Sequence, residues 1–244
     1  ESFLDMALRH GINAVYVPLF TPPLDTEVGE ERTTVQLIGV EQEGKEYWFD
    51  FSRLDKFLRR ADRLGAKYFE FSHLFTQWGA QAAPKIEAKR KGGTEKIFGC
   101  ETPADGAEYT RFLESFLPRL GSFLKEKGIA RRSFFHLSDE PSAYWLKDYT
   151  ARRALFKRLL PDFVHIDALS EIEFLEKGLV DIPVAVTEAA DKFAASEKTY
   201  WVYYCFPQCK DNLSNRMMNM PSERTRVLGM QLYRNGAKGF LHWG

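Results

Sequence analysis

The sequence predicts an α/β chain built as a (β/α)8 TIM-type barrel, and three observations lead there. Short apolar runs rich in β-branched and aromatic residues alternate with helical segments, a pattern that argues a parallel sheet with buried strands. With one hairpin set aside, the strands number seven, one short of eight. The length, 244 residues, suits one barrel of this type. A doubly wound open sheet is the alternative, but neither a GxGxxG nor a Walker loop occurs. The expectation is therefore one domain over residues 1–244: a barrel lacking its first strand and last helix, with a β-hairpin inserted near residues 33–51.

The elements follow in order. A helix-like segment with Phe3, Leu4, Met6, Ala7 and Leu8 ends near Gly11, and because the chain opens inside it, a start in mid-protein is expected. Ile12 to Val17 reads as a strand. After Pro22-Pro23 and a charged loop, Val35 to Val40 and Lys45 to Phe51 read as a hairpin turning at Glu43-Gly44. Ser52 suits the cap of a helix whose Leu54, Phe57, Leu58, Ala61 and Leu64 recur at helical spacing, and Gly65 stops it. Lys67 to Ser72 is a strand that runs into His73-Leu74-Phe75-Thr76-Gln77-Trp78. Residues 79–104 read as a long loop, of the kind that often carries function. Its basic run Lys89-Arg90-Lys91 reads as a solvated turn. A helix from Asp105 to Lys127 follows, with Pro118 expected to kink it. Beyond the strand discussed below come a helix from Pro141 to Leu160, a strand from Phe163 to Ala168 and a short helix from Glu171 to Lys177. The strands Ile182 to Val186 and Thr199 to Cys205, a helix from Ser222 to Tyr233 and a last strand from Gly239 to Trp243 complete the chain.

Composition excludes several classes of function. Lys and Arg together number 34, as do Asp and Glu, so no basic excess exists to hold a phosphate backbone, and nucleic acid is not an expected partner. No apolar run is long enough to cross a membrane. Cys100, Cys205 and Cys209 form no zinc-type CxxC pair and read as free thiols. His73, His136, His165 and His242 form no His-x-His or HExxH pattern, so no metal and no cofactor is expected. A cytoplasmic and a secreted setting are equally compatible with this sequence.

The chemistry gathers at Phe134-Phe135-His136-Leu137-Ser138-Asp139-Glu140-Pro141. This reads as a buried strand ending in two adjacent carboxylates, with Pro141 suited to the first position of a helix. In parallel α/β folds the carboxyl edge of the sheet is where ligands bind. The plain alternative is that Asp139 and Glu140 only complement the dipole of the helix from Pro141. The same edge would collect His73, Trp78, His136, Asp167, Glu188, Tyr203, Tyr204, Asn212, Arg216 and Trp243. Acids, amides and aromatic faces around one mouth suit a sugar, and these ten are the candidate substrate-binding residues. Alternation points only one of Tyr203 and Tyr204 inward. Trp78 and Trp243 serve equally as rim packing, Glu188 as a helix-start acid, and Arg216 as the partner of a rim acid.

Glycoside hydrolysis needs an acid for the leaving oxygen, and Glu140 is the candidate, with its carboxyl expected above the usual range. A retaining mechanism also needs a nucleophile about 5–5.5 Å away. Strand Thr199 to Cys205 offers no acid. That leaves Glu188, Asp167, or the substrate's own 2-acetamido group, which Asp139 would then orient and polarise.

The chain resembles the catalytic domain of glycoside hydrolase family 123 and its uncharacterised relatives. The resemblance rests on His136-Leu137-Ser138-Asp139-Glu140-Pro141, on Trp201 to Cys205, and on Asn215-Arg216, Met220-Pro221-Ser222, Arg226, Tyr233 and Gly239-Phe240-Leu241-His242-Trp243. It implies a (β/α)8 barrel and an exo-acting β-N-acetylgalactosaminidase with a retaining, substrate-assisted mechanism, its Asp-Glu pair falling on Asp139 and Glu140. It also implies a glycan or glycoconjugate as partner and a β-rich domain upstream. A retaining glycosidase with a protein nucleophile and a catalytically silent carbohydrate-binding barrel are the competing readings.

Overall fold

The computed structural model describes residues 2–26, 30–205, 216–218 and 220–242. Helix α1 (Ser2–Arg9) leads into β1 (Ala14–Val17), which buries Val15 and Val17. The chain then departs for a hairpin, β2 (Gly39–Glu43) and β3 (Glu46–Asp50), turning through Gly44 at φ +58°, a conformation that costs glycine little. Helix α2 (Ser52–Arg63) buries Leu54, Leu58 and Ala61, the stripe its spacing dictates, and hands over to β4 (Tyr68–Phe71). A second hairpin, β5 (Ile86–Arg90) and β6 (Gly93–Phe98), precedes the long helix α3 (Ala107–Glu126). Next come β7 (Ser133–Phe135), α4 (Leu146–Leu159), β8 (Val164–Leu169), the single turn α5 (Glu173–Glu176) and β9 (Ile182–Val186). The chain continues through α6 (Ala190–Ala194), β10 (Trp201–Tyr203), α7 (Ser222–Arg234) and β11 (Gly239–Phe240).

Strands β1, β4, β7, β8, β9, β10 and β11 pair in that order, every pair parallel. The sheet curls. Phe134 of β7 and Trp201 of β10 are separated by two strands, which on a flat sheet spaced at about 4.8 Å would hold them roughly 14 Å apart. Their rings meet at 5.1 Å. Tyr68 of β4 joins from the other side, 5.6 Å from Phe134, so aromatic rings fill the concave face. Phe135, the next residue along β7, points the other way and packs on Phe71, Phe156 and Phe163. Every strand therefore delivers its carboxyl end to one rim. Among the described residues β1 and β11 remain the two edges, so the sheet is a half-barrel and not a closed ring.

Three local expectations are corrected. The first arm of the hairpin is Gly39–Glu43, not Val35 to Val40. With the turn at Gly44-Lys45, the register Gly39–Asp50 to Glu43–Glu46 draws the arm towards it. Residues 79–104 are not simply a loop: β5 and β6 join the hairpin in a second sheet of order β3-β2-β5-β6. In β5 only Ile86 and Ala88 turn inward, too few to show as alternation beside so much charge. Lys89 and Arg90 stand exposed at its far end, paired with Glu41 and with Gln42 and Glu95. This sheet sits on α3, where Tyr47 and Phe98 meet Phe112 and Phe49 meets Phe116. Each fully buried Phe contributes about 2–3 kcal/mol. The third correction bears on function. The helix expected from Pro141 begins at Leu146, after a 3-10 turn over Ala143–Trp145. Asp139 and Glu140 thus lie outside its first turn, and the helix dipole does not account for them.

Candidate active site

Beyond Phe135 the chain stops pairing as a strand and crosses the rim as an irregular turn, residues 136–142. Two neighbours hold it. On one side the loop after β4 zips to it: the amides of Leu74, Phe75 and Trp78 donate to the carbonyls of His136, Leu137 and Asp139 at 3.2, 2.9 and 2.6 Å. The Ser138 hydroxyl donates back to the Thr76 carbonyl at 2.7 Å. On the other side the Glu140 amide donates to the Ala168 carbonyl of β8 at 3.0 Å. Held so, Glu140 takes φ +45° and Trp78 φ +67°. Left-handed backbone at such residues costs about 1 kcal/mol or more and persists where its surroundings over-determine it.

Gly79 lets this assembly close. A Cβ there would stand 2.8 Å from the Trp145 ring. Gly79→Ala is expected to destabilise by about 1–3 kcal/mol through that overlap, read as a clear fall in melting temperature. An unchanged melt would contradict the packing described.

The two carboxyls have different partners. Asp139 Oδ2 accepts from Gln77 Nε2 at 2.8 Å, and Gln77 Oε1 in turn accepts from the Asp25 amide at 2.9 Å. Glu140 Oε1 accepts from the Tyr203 hydroxyl at 2.6 Å, with the Cys205 thiol at 4.0 Å. Burial, and then the charge of Glu140, push the Asp139 carboxyl up to about 7. Burial and the bond to Glu140 push Tyr203 far above its ordinary value, so it stays a donor. Gln77 and Trp78 also line a cavity of about 500 Å³, together with Thr26, Thr76, Gln81, Ala82, Cys100, Glu101 and Pro103; the two carboxyls themselves are not part of its lining.

Beneath the turn lies a buried polar layer. Asp167, fully buried in β8, accepts from the amides of Leu137 and Ser138 at 3.0 and 3.2 Å and from the Tyr149 hydroxyl at 2.6 Å. His165 Nε2 and His136 Nδ1 meet the same carboxylate at 2.8 and 3.2 Å. Burial alone would raise Asp167, but the two histidines outweigh it and hold the carboxyl well below its usual range. His73, buried, stacks on His136 at 4.4 Å with 26° between the rings. His73, His136 and Asp167 each offer one ligand atom within 4.8 Å of the others. Near-parallel rings aim their lone pairs side by side rather than at one point, and both nitrogens of His136 are already engaged. The cluster is a hydrogen-bonded network in geometry, not a coordination sphere.

The other expected residues divide. Tyr203 faces the acids. Tyr204 turns away, accepting the Arg216 amide at 2.7 Å and packing on Phe240. The Arg216 guanidinium lies over Phe240. Trp78 is half exposed at the cavity. His73, His136 and Asp167 are buried below the turn instead of facing outward at the rim. Glu188 stands exposed on the 3-10 turn after β9. Asn212 and Trp243 lie outside the described residues. Gln77, Glu70 and Tyr149 were missed. Gln77 had a signal in its place at the end of a strand beside Trp78; Glu70 and Tyr149 had none, being ordinary strand and helix positions.

A search among curated proteins gives no match. A solved structure of a family 123 glycoside hydrolase from Clostridium perfringens, on the details of glycolipid glycan hydrolysis, is similar, with a TM-score of 0.73 and 18% identity. The likeness covers 100% of this chain and 44% of that one, so this chain spans less than half of that protein's length. At such identity it shows the fold. The model of the glycoside hydrolase 123 catalytic domain matches residues 1–244. A match over the whole chain, on a curled parallel sheet with an Asp-Glu pair at its rim, places this protein in glycoside hydrolase family 123.

Proposed function

We propose that the chain removes terminal β-linked N-acetylhexosamine, N-acetylgalactosamine by preference, through a retaining, substrate-assisted mechanism. Glu140 serves as general acid and base, and Asp139 orients the 2-acetamido group. The observation that carries this reading is the divided pair: adjacent carboxyls at one rim, one bonded to Gln77 beside a cavity and the other to Tyr203 across the barrel. The competing nucleophile Asp167 is fully buried, with both oxygens taken by five donors, and so is not free to attack an anomeric carbon. Glu188 is the remaining protein candidate. The preference for galactosamine follows from the family resemblance. The half-barrel is read as the greater part of a (β/α)8 barrel forming one domain, because strand order follows chain order throughout.

With its carboxyl pushed up to about 7, Asp139 keeps its proton at pH 6. An acetamido N–H donating to Asp139 favours its charged form, so binding the substrate and holding that proton compete. Above about pH 7 the Asp139 proton departs from the free protein, and kcat/KM is expected to change as pH rises through that value. A profile flat from pH 5 to 9 would contradict the raised Asp139 carboxyl.

The reading is tested on paired aryl β-glycosides with and without the 2-acetamido group, in galacto and gluco forms. Turnover of the acetamido sugars alone is expected. Equal turnover of the plain galactoside would favour Glu188 as nucleophile, and no turnover of any would favour a binding barrel.

A further inference from the structure

Both ring nitrogens of His136 face carboxylate oxygens: Nε2 meets Glu70 Oε1 at 2.8 Å and Nδ1 meets Asp167 Oδ1 at 3.2 Å. A neutral imidazole has one N–H and one lone pair, so one of these contacts would set a lone pair against a carboxylate. Only the doubly protonated ring satisfies both. His165 makes the contrast. It meets the same Asp167 through Nε2, while its Nδ1 has no hydrogen-bond partner, so the neutral ring satisfies it. His73, stacked on His136 with Nδ1 also unpartnered, is held neutral by burial and by the charge beside it. One cation thus stands among three buried histidines.

We propose that His136 is a permanent imidazolium and a positioning residue: clamped between Glu70 and Asp167, it braces the Asp139–Glu140 turn and supplies a positive charge that favours the ionised form of Asp139. The proposal rests on the reading of Asp139 as the carboxylate that meets the acetamido group. His136 does not touch substrate, since it is buried under the turn. The brace runs through Asp167, which holds the ring on one side and the amides of Leu137 and Ser138 on the other, the two residues before Asp139. The groups facing His136 are Glu70 from β4, His73 from the loop after it, and Asp167, with His165 behind it, from β8. Tyr149 from α4 reaches Asp167, Tyr16 from β1 feels the charge of Glu70, and Asp139 and Glu140 follow on its own turn. Burial works against a charged ring here, but Asp167 and Glu70 outweigh it and hold His136 at about 10. The same charge pulls Asp139 down against its burial and against Glu140.

The test has two arms. Side-chain proton–nitrogen NMR of the histidines in the unmodified protein is expected to show both N–H groups of His136 up to pH 9, with His165 and His73 singly protonated. A neutral His136 at pH 8 overturns the proposal, and this arm needs neither activity nor a variant. In the kinetic arm, His136→Gln removes the charge. The inflection of kcat/KM is expected to move up by about one pH unit, since one charge at this range is worth about that much. A fall in kcat larger than any rise in KM should accompany it. His136→Lys, which restores the charge, should bring the inflection back. A purely structural role lowers the melting temperature and leaves the inflection in place, and that result in folded His136→Gln also overturns the proposal. If the unmodified protein hydrolyses no aryl glycoside, the functional reading has failed while the NMR arm still decides the charge of His136.

Discussion

Asp139→Asn is expected to lower kcat about 30- to 1,000-fold with little change in KM. As the acetamido oxygen attacks the anomeric carbon, its nitrogen gains positive charge. A carboxylate accepting the N–H stabilises that charge only as it develops, so the loss falls on the transition state. A charge-assisted contact in a water-poor site is worth about 2–4 kcal/mol, which gives the range stated. Asn keeps the shape and removes the charge. A thiazoline mimic of the cyclised intermediate should bind the native protein far more tightly than the product sugar, and should lose that advantage in the variant. Stability runs the other way. A carboxyl held at about 7 when folded binds its proton more tightly than in the unfolded chain, where carboxyls titrate near pH 4. Ionising it between those values therefore weakens the fold. Asp139 also caps no helix, since α4 begins at Leu146. At pH 8 the Asn variant should melt no lower than the native protein. A lower melting temperature with normal kcat would mean that Asp139 is structural.

Glu140→Gln carries the second large effect, and it depends on the leaving group. A sugar or alkyl leaving group needs a proton as the bond breaks; an activated phenolate leaves without one. The variant should lose about 100- to 10,000-fold on natural-type substrates, the usual worth of a general acid, and much less on activated aryl glycosides. The Tyr203 hydroxyl, 2.6 Å from Glu140, still finds an acceptor in the Gln carbonyl, so the fold should be undisturbed. An equal loss on both substrate classes would reduce Glu140 to shaping the pocket.

The strand-helix alternation was legible because each buried strand carries its own run of Val, Phe or Ile, and because Gly11, Gly65 and Gly178 stop the elements where left-handed turns are needed. Asp139 and Glu140 were legible for a related reason: two adjacent charges closing the run Phe134-Phe135-His136-Leu137-Ser138 have no place inside a sheet. The hairpin of β5 and β6 was not, since only two of its inward residues are apolar neighbours in alternation and the rest is charge. Pro141 misled because proline favours a first helical turn in isolation. Here the chain spends residues 140–145 tying the turn to β8 and to Trp78 before helix begins. His136 and Asp167 looked like rim residues because sequence counts positions along a strand and does not show that the turn folds back over them. Gln77, Glu70 and Tyr149 depend on partners 62, 66 and 18 positions away, which no local pattern records.

The central claim is that the substrate supplies its own nucleophile while Asp139 steadies it. The most direct measurement is a series of aryl β-N-acetylgalactosaminides with zero to three fluorines on the acetamido methyl group. Fluorine withdraws electrons from the carbonyl oxygen and barely alters the size of the group. If that oxygen attacks, kcat/KM should fall with each added fluorine. A rate indifferent to fluorination would show that a protein carboxylate, not the acetamido group, performs the displacement.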